Sequence, residues 1–248
     1  MGRPSSPLVR DNQRINMISI IIPLYNGEKT ILKTLLSLAQ QTYQDFEIII
    51  VNDGSIDNSE QIVANYLQKT QANISYFFIN QKNQGAPAAR NRGFKDSKGD
   101  FLLFCDDDAV LHPQALDIML NTLLQHQEVS YVYSSFNWGK KLFQLEEFNP
   151  EKLKQMPYIH SLSLIRRQDF PLTGWDESIK KFQDWDLWLT MLEEGKVGFW
   201  ISEVLFKINP GGTMSSWLPA FAYTWFPFLP AVKKYKKAML IIKQKHGI

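Results

Sequence analysis

The residues of this chain that could do chemistry are mostly carboxylates. Asp106, Asp107 and Asp108 follow an apolar run at 101–105, and alternate residues of an extended segment, here Asp106 and Asp108, project to one side. Two hard oxygen ligands at a strand end suit Mg²⁺ or Mn²⁺, which keep waters and bind substrate phosphates. The competing reading is a solvated acidic turn before the helix that Pro113 opens. The second cluster is "FQDWDLW" (182–188), where Asp184 and Asp186 stand among three large aromatic rings. Apolar surroundings disfavour the charged carboxylate and raise its pKa, which suits a general base. Helix capping with aromatic packing would leave the same pattern.

Two turn segments add polar groups. "NDGSID" (52–57) supplies Asp53, Gly54 for a tight turn and Asp57 as a helix cap; by itself it reads as a plain strand–turn–helix connection. "NQGAPAARNRG" (83–93) places Gly85 and a helix N-terminus, which favours anions, ahead of Arg90. It does not match G-x-x-x-x-G-K-[ST], and no G-x-G-x-x-G fingerprint follows the first apolar run. Both absences argue against kinase-type NTPases and NAD dehydrogenases.

The elements that must position these groups alternate. "MISIIIP" (17–23), "FEIIIVND" (46–53), "ISYFFIN" (74–80), "DFLLFCD" (100–106) and "VSYVYSSF" (129–136) are apolar and rich in β-branched or aromatic residues, as buried strands are. Helical patterns lie between them at 28–40, 57–68, 87–94 and 112–125. Strand–helix alternation with short connections predicts an α/β fold with a mostly parallel central sheet flanked by helices. Ligands of such sheets bind beyond the carboxyl ends of the strands, where "YNGE" (25–28), "NDGSID" and "CDDD" (105–108) converge. Beyond Trp138 the pattern loosens: "YIHSLSLIRR" (158–167) reads as a strand, and "QDWDLWLTMLEEG" (183–195) as an amphipathic helix closed by Gly195. There is no internal repeat and no low-complexity tract.

At 248 residues, 44% hydrophobic and 21% charged, the chain can bury a sizeable core. A single cysteine, Cys105, rules out an intramolecular disulfide framework and multi-cysteine zinc sites; a reducing, cytoplasmic compartment is the simplest reading, with Cys105 as core. The net charge of +2 hides an asymmetry. After Glu203 there is no acidic residue but there are seven of the 27 basic ones, so the rest of the chain holds 20 basic and 25 acidic residues.

In order, "SIIIPLYNGE", "IIIVNDGSID", "NQGAPAARNRG", "GDFLLFCDDD", "GWDES" and "QDWDLWLTMLEEG" resemble the family 2 inverting glycosyltransferases, which have a GT-A (Rossmann-like) fold. The resemblance spans roughly 17–215, and six weak motifs in order are together specific. It implies a single GT-A-type domain at 17–215, with a nucleotide-sugar donor half at 17–113 and an acceptor half at 114–215. A flexible leader (1–16) and a C-terminal helical, aromatic- and lysine-rich extension (216–248) flank it. It further implies that Pro23, Tyr25 and Glu28 line the nucleotide pocket, that Asp53 hydrogen-bonds the base, usually uracil, and that Arg90 sits beside the donor diphosphate. Asp106 and Asp108 look like the family's D-x-D pair for Mn²⁺ or Mg²⁺, with Asp107 counted among the nucleotide-sugar contacts. Asp184 matches the catalytic base, and Trp175, Asp176, Glu177 and Trp185 fall on the acceptor side. Trp175 or Trp185 stacks on a sugar or is an ordinary core ring.

The implied activity is metal-dependent, inverting transfer from a nucleotide diphosphate sugar, a UDP-sugar by the family's habit, to a glycan or lipid-linked acceptor. Cell-envelope polysaccharide assembly is the implied setting. Three positions depart from the family's pattern. Gln183 stands where Glu often precedes the base, "TGWDE" (173–177) replaces the common "GGFDE", and Asn209 stands where His is frequent. A sugar-nucleotide-forming nucleotidyltransferase would need a Gly-rich loop that "PLYNGE" is not, and a silent binding homologue would not need Asp106, Asp108 and Asp184 intact. His112 and His160 read as structural or surface residues. The tail leaves two readings open: peripheral contact of 217–248 with an anionic membrane surface, or a helix packed on the core with solvated lysines. No recognised motif accompanies the basic patch, so nucleic acid is not an expected partner.

Overall fold

The computed structural model describes residues 16–70, 74–209 and 228–248. In chain order the elements are β1 (Ile18–Leu24), α1 (Ile31–Ala39), β2 (Phe46–Asp53), α2 (Ser59–Lys69), β3 (Ser75–Gln81), α3 (Ala86–Asp96), β4 (Phe101–Phe104) and β5 (Ala109–Leu111). There follow α4 (Ala115–Gln125), β6 (Tyr131–Trp138), β7 (Lys141–Phe143), α5 (Pro150–Gln155), β8 (Leu164–Arg166), α6 (Gln183–Glu193), β9 (Gly198–Ile208) and α7 (Pro230–Lys245). The strands form one sheet in the order β3-β2-β1-β4-β8-β6-β9-β5, with β7 on β6.

β3, β2, β1 and β4 pair in parallel, so their carboxyl ends share one edge. β8 then runs antiparallel to both β4 and β6, while the long β6–β9 pairing is parallel. The mostly parallel expectation holds for the long ladders; the short strands supply the antiparallel ones.

The apolar runs are continuous because helices cover both faces of the sheet. Period-2 alternation splits each strand between two cores. Ile18, Ile20, Ile22, Ile48 and Ile50 meet α1, α2 and α4, whereas Ile21, Ile49, Val51, Leu102 and Phe104 meet α3 and α6. Gly93 lets α3 lie flat on β1: a Cβ there would come within 2.5 Å of Ile21 Cγ2.

Some boundaries differ from expectation. The 158–167 strand shrinks to Leu164–Arg166, because Ser161 and Ser163 turn the chain through hydrogen bonds to His160 and its neighbours. α4 starts at Ala115, two residues after Pro113. The N-cap position of α2 is Asn58, one residue later than expected, but the Asp57 carboxylate still accepts from the first helical N–H, Ser59 N at 3.0 Å, and from Glu28 N at 3.1 Å. The long strand β9 escaped the reading because exposed Ser202 and Glu203 interrupt its apolar pattern at a shift in register with β6. Residues 1–15 of the expected leader (1–16), and 210–227, which hold the end of the expected domain and the start of its extension, lie outside the described residues.

Candidate active site

The carboxyl ends of β1 and β2 are tied into one platform. Asn26, in the left-handed region at φ 53°, donates its N–H to Ser55 Oγ at 3.0 Å and accepts from Ile56 N at 2.9 Å. Gly27 N donates to Ser59 Oγ at 2.8 Å, and Glu28 Oε2 accepts from Asn58 N at 3.1 Å. Of the predicted nucleotide-pocket residues, Pro23 is buried in β1, Tyr25 is exposed on the platform, and Glu28 clamps the two loops together.

Asp53, at the end of β2, is buried and heavily engaged. Its carboxylate accepts from Gln81 Nε2 at 2.8 Å, Gln84 N at 2.9 Å and Gly85 N at 2.7 Å. These bonds fix the 82–85 turn, where Gly85 takes φ 97°, a region that favours glycine, and starts α3. Asp53 thereby places Arg90 one turn into that helix.

Arg90 is the hub. Its buried guanidinium donates to Asp106 Oδ1 at 2.7 Å and to Gln183 Oε1 at 2.9 Å, and lies 4.5 Å from the centre of the Trp175 ring. Gln183, the departure from the family pattern, thus leaves Arg90 one carboxylate partner here instead of two. Arg90 Nε is buried with no hydrogen-bond partner among the described residues, a donor left over beside the acidic turn.

The three carboxylates of the turn differ sharply. Burial pushes Asp106 up, but Arg90 and then His160 outweigh it and hold this carboxyl below the usual range. Burial, followed by repulsion from Asp108 and Asp106, pushes Asp107 up to about 8. Burial and Asp106 raise Asp108 to about 7. Asp107 is wedged against Gly27, where any Cβ would overlap its carboxylate, and its carbonyl accepts from Thr34 Oγ1 at 2.8 Å. Asn209 donates from N and Nδ2 to the Asp108 carbonyl at 3.0 and 3.2 Å, which pins the turn to the end of β9.

Asp184 enters from the other side, in the first turn of α6. Phe182, the residue before the helix, is left-handed at φ 59°, ψ 37°, a strain of roughly 1–2 kcal/mol for a non-glycine residue. Asp184 Oδ1 accepts from Trp185 N at 2.9 Å. Burial raises the Asp184 carboxyl, His160, that N–H and Arg90 pull it down, and Asp106 pushes it up again. The balance is a base stronger than an exposed aspartate, in electrostatic contact with the Arg90–Asp106 pair.

His160 is the functional candidate that sequence reasoning missed. It is buried, its Nδ1 accepts from Leu162 N at 3.0 Å, and its Nε2 lies 4.0 Å from Asp106 Oδ2. Burial lowers its pKa against the upward pull of Asp106 and Asp184. Ser161 Oγ donates to Asp106 Oδ2 at 3.3 Å. A lone histidine in the apolar run "YIHSLSL" was the only signal for it.

Of the acceptor-side residues, Trp175 and Trp185 take the core-ring alternative. Trp175 and Trp185 are buried to 2% and 0% exposure. Trp175 packs edge-on against Phe104, and Trp185 donates Nε1–H to Leu153 O at 2.6 Å. Both are core rings, with no face left for a sugar. Asp176 and Glu177 are bound up in the fold, Asp176 with Lys245 at 2.8 Å and Glu177 with Asn91 Nδ2 at 2.9 Å. Cys105 is buried core, as expected.

A divalent cation fits this site only with help. Among the described residues no three Asp, Glu, His or Cys side chains converge into a ready cage. Asp106, expected as a ligand, has its oxygens committed to Arg90 and Ser161. No side chain among the described residues pairs with the Asp108 carboxylate, and burial, followed by repulsion within the turn, pushes Asp107 and Asp108 up, which a cation would relieve. One carboxylate plus substrate phosphates and water is an ordinary Mg²⁺ or Mn²⁺ arrangement.

Comparison with known proteins decides the family. The profile described as Glycosyl transferase family 2 matches residues 19–172, more than half of the chain. An uncharacterized glycosyltransferase of Rickettsia typhi is 32% identical over 95% of this chain and 78% of its own length.

The chain belongs to glycosyltransferase family 2.

It is a transferase. The chondroitin synthase of Escherichia coli is 29% identical to this family 2 glycosyltransferase over 74% of the chain, which spans 27% of that protein. Of solved folds, S. aureus TarS 1–349 in complex with UDP-GlcNAc superposes with a TM-score of 0.68 at 22% identity, covering 82% of this chain and 62% of that one. The Pyrobaculum calidifontis mannosyltransferase PcManGT, in complex with GDP-Man and Mn²⁺, superposes at 0.66 and 15% identity, covering 90% and 63%. The GT-A-type fold is therefore common to all three, and this chain spans under two thirds of either structural neighbour. The family match ends at residue 172 and so does not reach Asp184.

Proposed function

We propose that this glycosyltransferase moves a sugar from a nucleoside diphosphate donor to a hydroxyl of a glycan or lipid-linked acceptor, with inversion at the anomeric carbon. The carrying observation is the opposition of two charged groups. A half-buried carboxylate with a raised pKa, Asp184, faces the strand-end cluster of Arg90, Asp106 and His160. TarS, bound to UDP-GlcNAc, supports a UDP-sugar donor, and PcManGT, bound to GDP-Man, keeps GDP-sugars in the test. The likeness to chondroitin synthase supports a polysaccharide setting, which we take to be cell-envelope assembly.

In this reading residues 17–113 bind the donor and 114–215 the acceptor. The platform of Tyr25, Glu28 and the 52–58 turn, shaped by Pro23 and Asp53, receives the nucleoside. Arg90, with a donor to spare, faces the diphosphate, and Asp107 underlies it. Asp184 takes the proton of the acceptor hydroxyl as its oxygen attacks the anomeric carbon from the face opposite the diphosphate. The bond between that carbon and the diphosphate oxygen breaks, and nucleoside diphosphate leaves with the electron pair. A divalent cation on Asp108 and the phosphates would neutralise the leaving group's charge. His160 Nε2–H and the Arg90 guanidinium supply further positive character where charge develops, and cost no reorganisation because both are already fixed.

The membrane reading takes a definite form. α7 packs Val232 and Ile242 into the core and turns Lys233, Lys234, Lys236 and Lys237 outward beside exposed Leu240 and Ile241. No acidic residue follows Glu203 to oppose them, and that lysine–leucine–isoleucine face is complementary to an anionic lipid surface. No described helix is long and apolar enough to cross a membrane.

The test of the transfer reading is a panel of UDP- and GDP-sugars with Mn²⁺ and Mg²⁺, read by release of nucleoside diphosphate. Release from one or more sugars that needs Asp184 supports it; sugar-nucleotide synthesis from sugar phosphate and NTP would replace it with the nucleotidyltransferase.

A further inference from the structure

The base helix α6 is held by a segment with no part in the proposed chemistry. Asp186, one turn-face away from Asp184 and only 3% exposed, is a buried carboxylate whose partners all come from the chain's last residues. Lys245 Nζ reaches its Oδ2 at 2.9 Å, and His246 Nε2 its Oδ1 at 2.9 Å. The other ring nitrogen of His246, Nδ1, meets Glu193 Oε1 at 2.7 Å, so one imidazole spans the start and the end of α6. At the opposite end of α7, the Tyr235 ring stands edge-on to Phe182, centroids 5.0 Å apart. Phe182 is the strained residue from which α6 departs.

Lys245 has a second hold. Its ammonium also meets Asp176 Oδ2 at 2.8 Å, on the loop that lays Trp175 against Arg90. One side chain therefore ties the shelf under the phosphate-facing guanidinium to the helix that carries the base. Ile242 and Met239, between the two ends, pack into the aromatic core that holds Trp185 and Trp188.

We propose that α7 is a positioning clamp for catalysis, in which Lys245 and His246 acting on Asp186, and Tyr235 acting on Phe182, keep Asp184 in register with Arg90. The proposal rests on Asp184 being the base. Lys245, His246 and Tyr235 are positioning residues: none touches the reacting atoms. An ordinary packed terminal helix would contribute to stability alone, and its loss would leave the chemical step of the surviving folded protein unchanged.

The test uses the full chain, with K245Q/H246Q as the releasing double variant, K245R as the conservative one, and D184N alongside. Two readouts are taken. Hydrogen–deuterium exchange, which needs no substrate, should show faster exchange of amides 182–187 in K245Q/H246Q with β1 and β2 unchanged, and near-native exchange in K245R. With the sugar nucleotide that the panel selects, kcat should fall on the order of tenfold to a hundredfold, as misplacement of a reacting group does. UDP and GDP binding, measured calorimetrically, should change by less than about twofold because the platform is untouched. Unchanged exchange at 182–187, or changed exchange with unchanged kcat, overturns the clamp. Should D184N itself turn over normally, the base reading fails; the exchange data then still report whether the clamp holds α6.

Discussion

At the residue scale, environment separates identical side chains. Three consecutive aspartates end in three states: Asp106 is paired with Arg90, Asp107 is wedged under Gly27 and pushed up to about 8, and Asp108 is pushed up to about 7 by burial and by Asp106. If Asp108 is the cation's ligand, D108N should weaken Mn²⁺-dependent UDP or GDP binding at least about tenfold, a loss of roughly 1.4 kcal/mol, and leave metal-free binding unchanged. Titration calorimetry with and without EDTA decides this, and equal metal dependence rejects the ligand role. D184N should cut kcat by at least about a hundredfold, within the usual range for general-base catalysis, with nucleotide affinity intact. Because burial raises the Asp184 carboxyl, the acid limb of the rate profile should fall at a pH above the value of about 3.9 for a free aspartate. An acid limb at or below that value would contradict a base with a raised pKa.

At the element scale, two contacts hold the site. α3 must lie close on β1 to bring Arg90 to Asp106. G93A would force a methyl to within 2.5 Å of Ile21 Cγ2, an overpacking that typically costs about 1–3 kcal/mol against roughly 1 kcal/mol of helix propensity gained. Chemical denaturation should find G93A less stable; a more stable variant would show that α3 can lift freely. The second contact is His246. Burial lowers its pKa, but Asp186 and Glu193 outweigh that and raise it, with Lys245 and Asp176 completing the surrounding charges. A raised folded pKa means that its stabilisation is complete below the unfolded value of about 6.5 and is lost as pH rises through the folded value. The Tm difference between wild type and H246Q should therefore be largest near pH 6 and shrink on the alkaline side. A gap that widened with pH would refute the assignment.

At the scale of the whole molecule, α7 has two faces with different tasks. Its inner face closes the core and grips α6, and its outer face carries the lysines. Deleting it would test both at once, so the outer face is better tested by substitution. K233Q/K234Q/K236Q/K237Q should retain the wild-type Tm and lose most of its binding to vesicles containing anionic phosphatidylglycerol, at about 1 kcal/mol per lysine near the surface. Undiminished sedimentation with those vesicles rejects the membrane face.

Much of this was legible in the sequence, because its signals are local. A strand buried on both faces must be apolar throughout, so β1, β2 and β4 are visible as runs, and turn chemistry at 52–57 and 83–87 marks where they end. The family motifs bring Asp106, Asp108, Asp184 and Arg90 to attention without coordinates. Tertiary structure decided what depends on residues far apart in the chain. His160 enters the site because β8 runs back beside β4, which no local pattern encodes. Trp175 and Trp185 are core rings because α5 and α3 cover them; a sequence shows that an indole is large and apolar, not which surface it meets. Asp186, two residues on from Asp184 and so on another side of the helix, reads as a structural hydrogen-bonding residue, but its partners lie 59 and 60 residues away. A buried carboxylate must find its counter-charge wherever the fold brings one, and here that is the last turn of the chain.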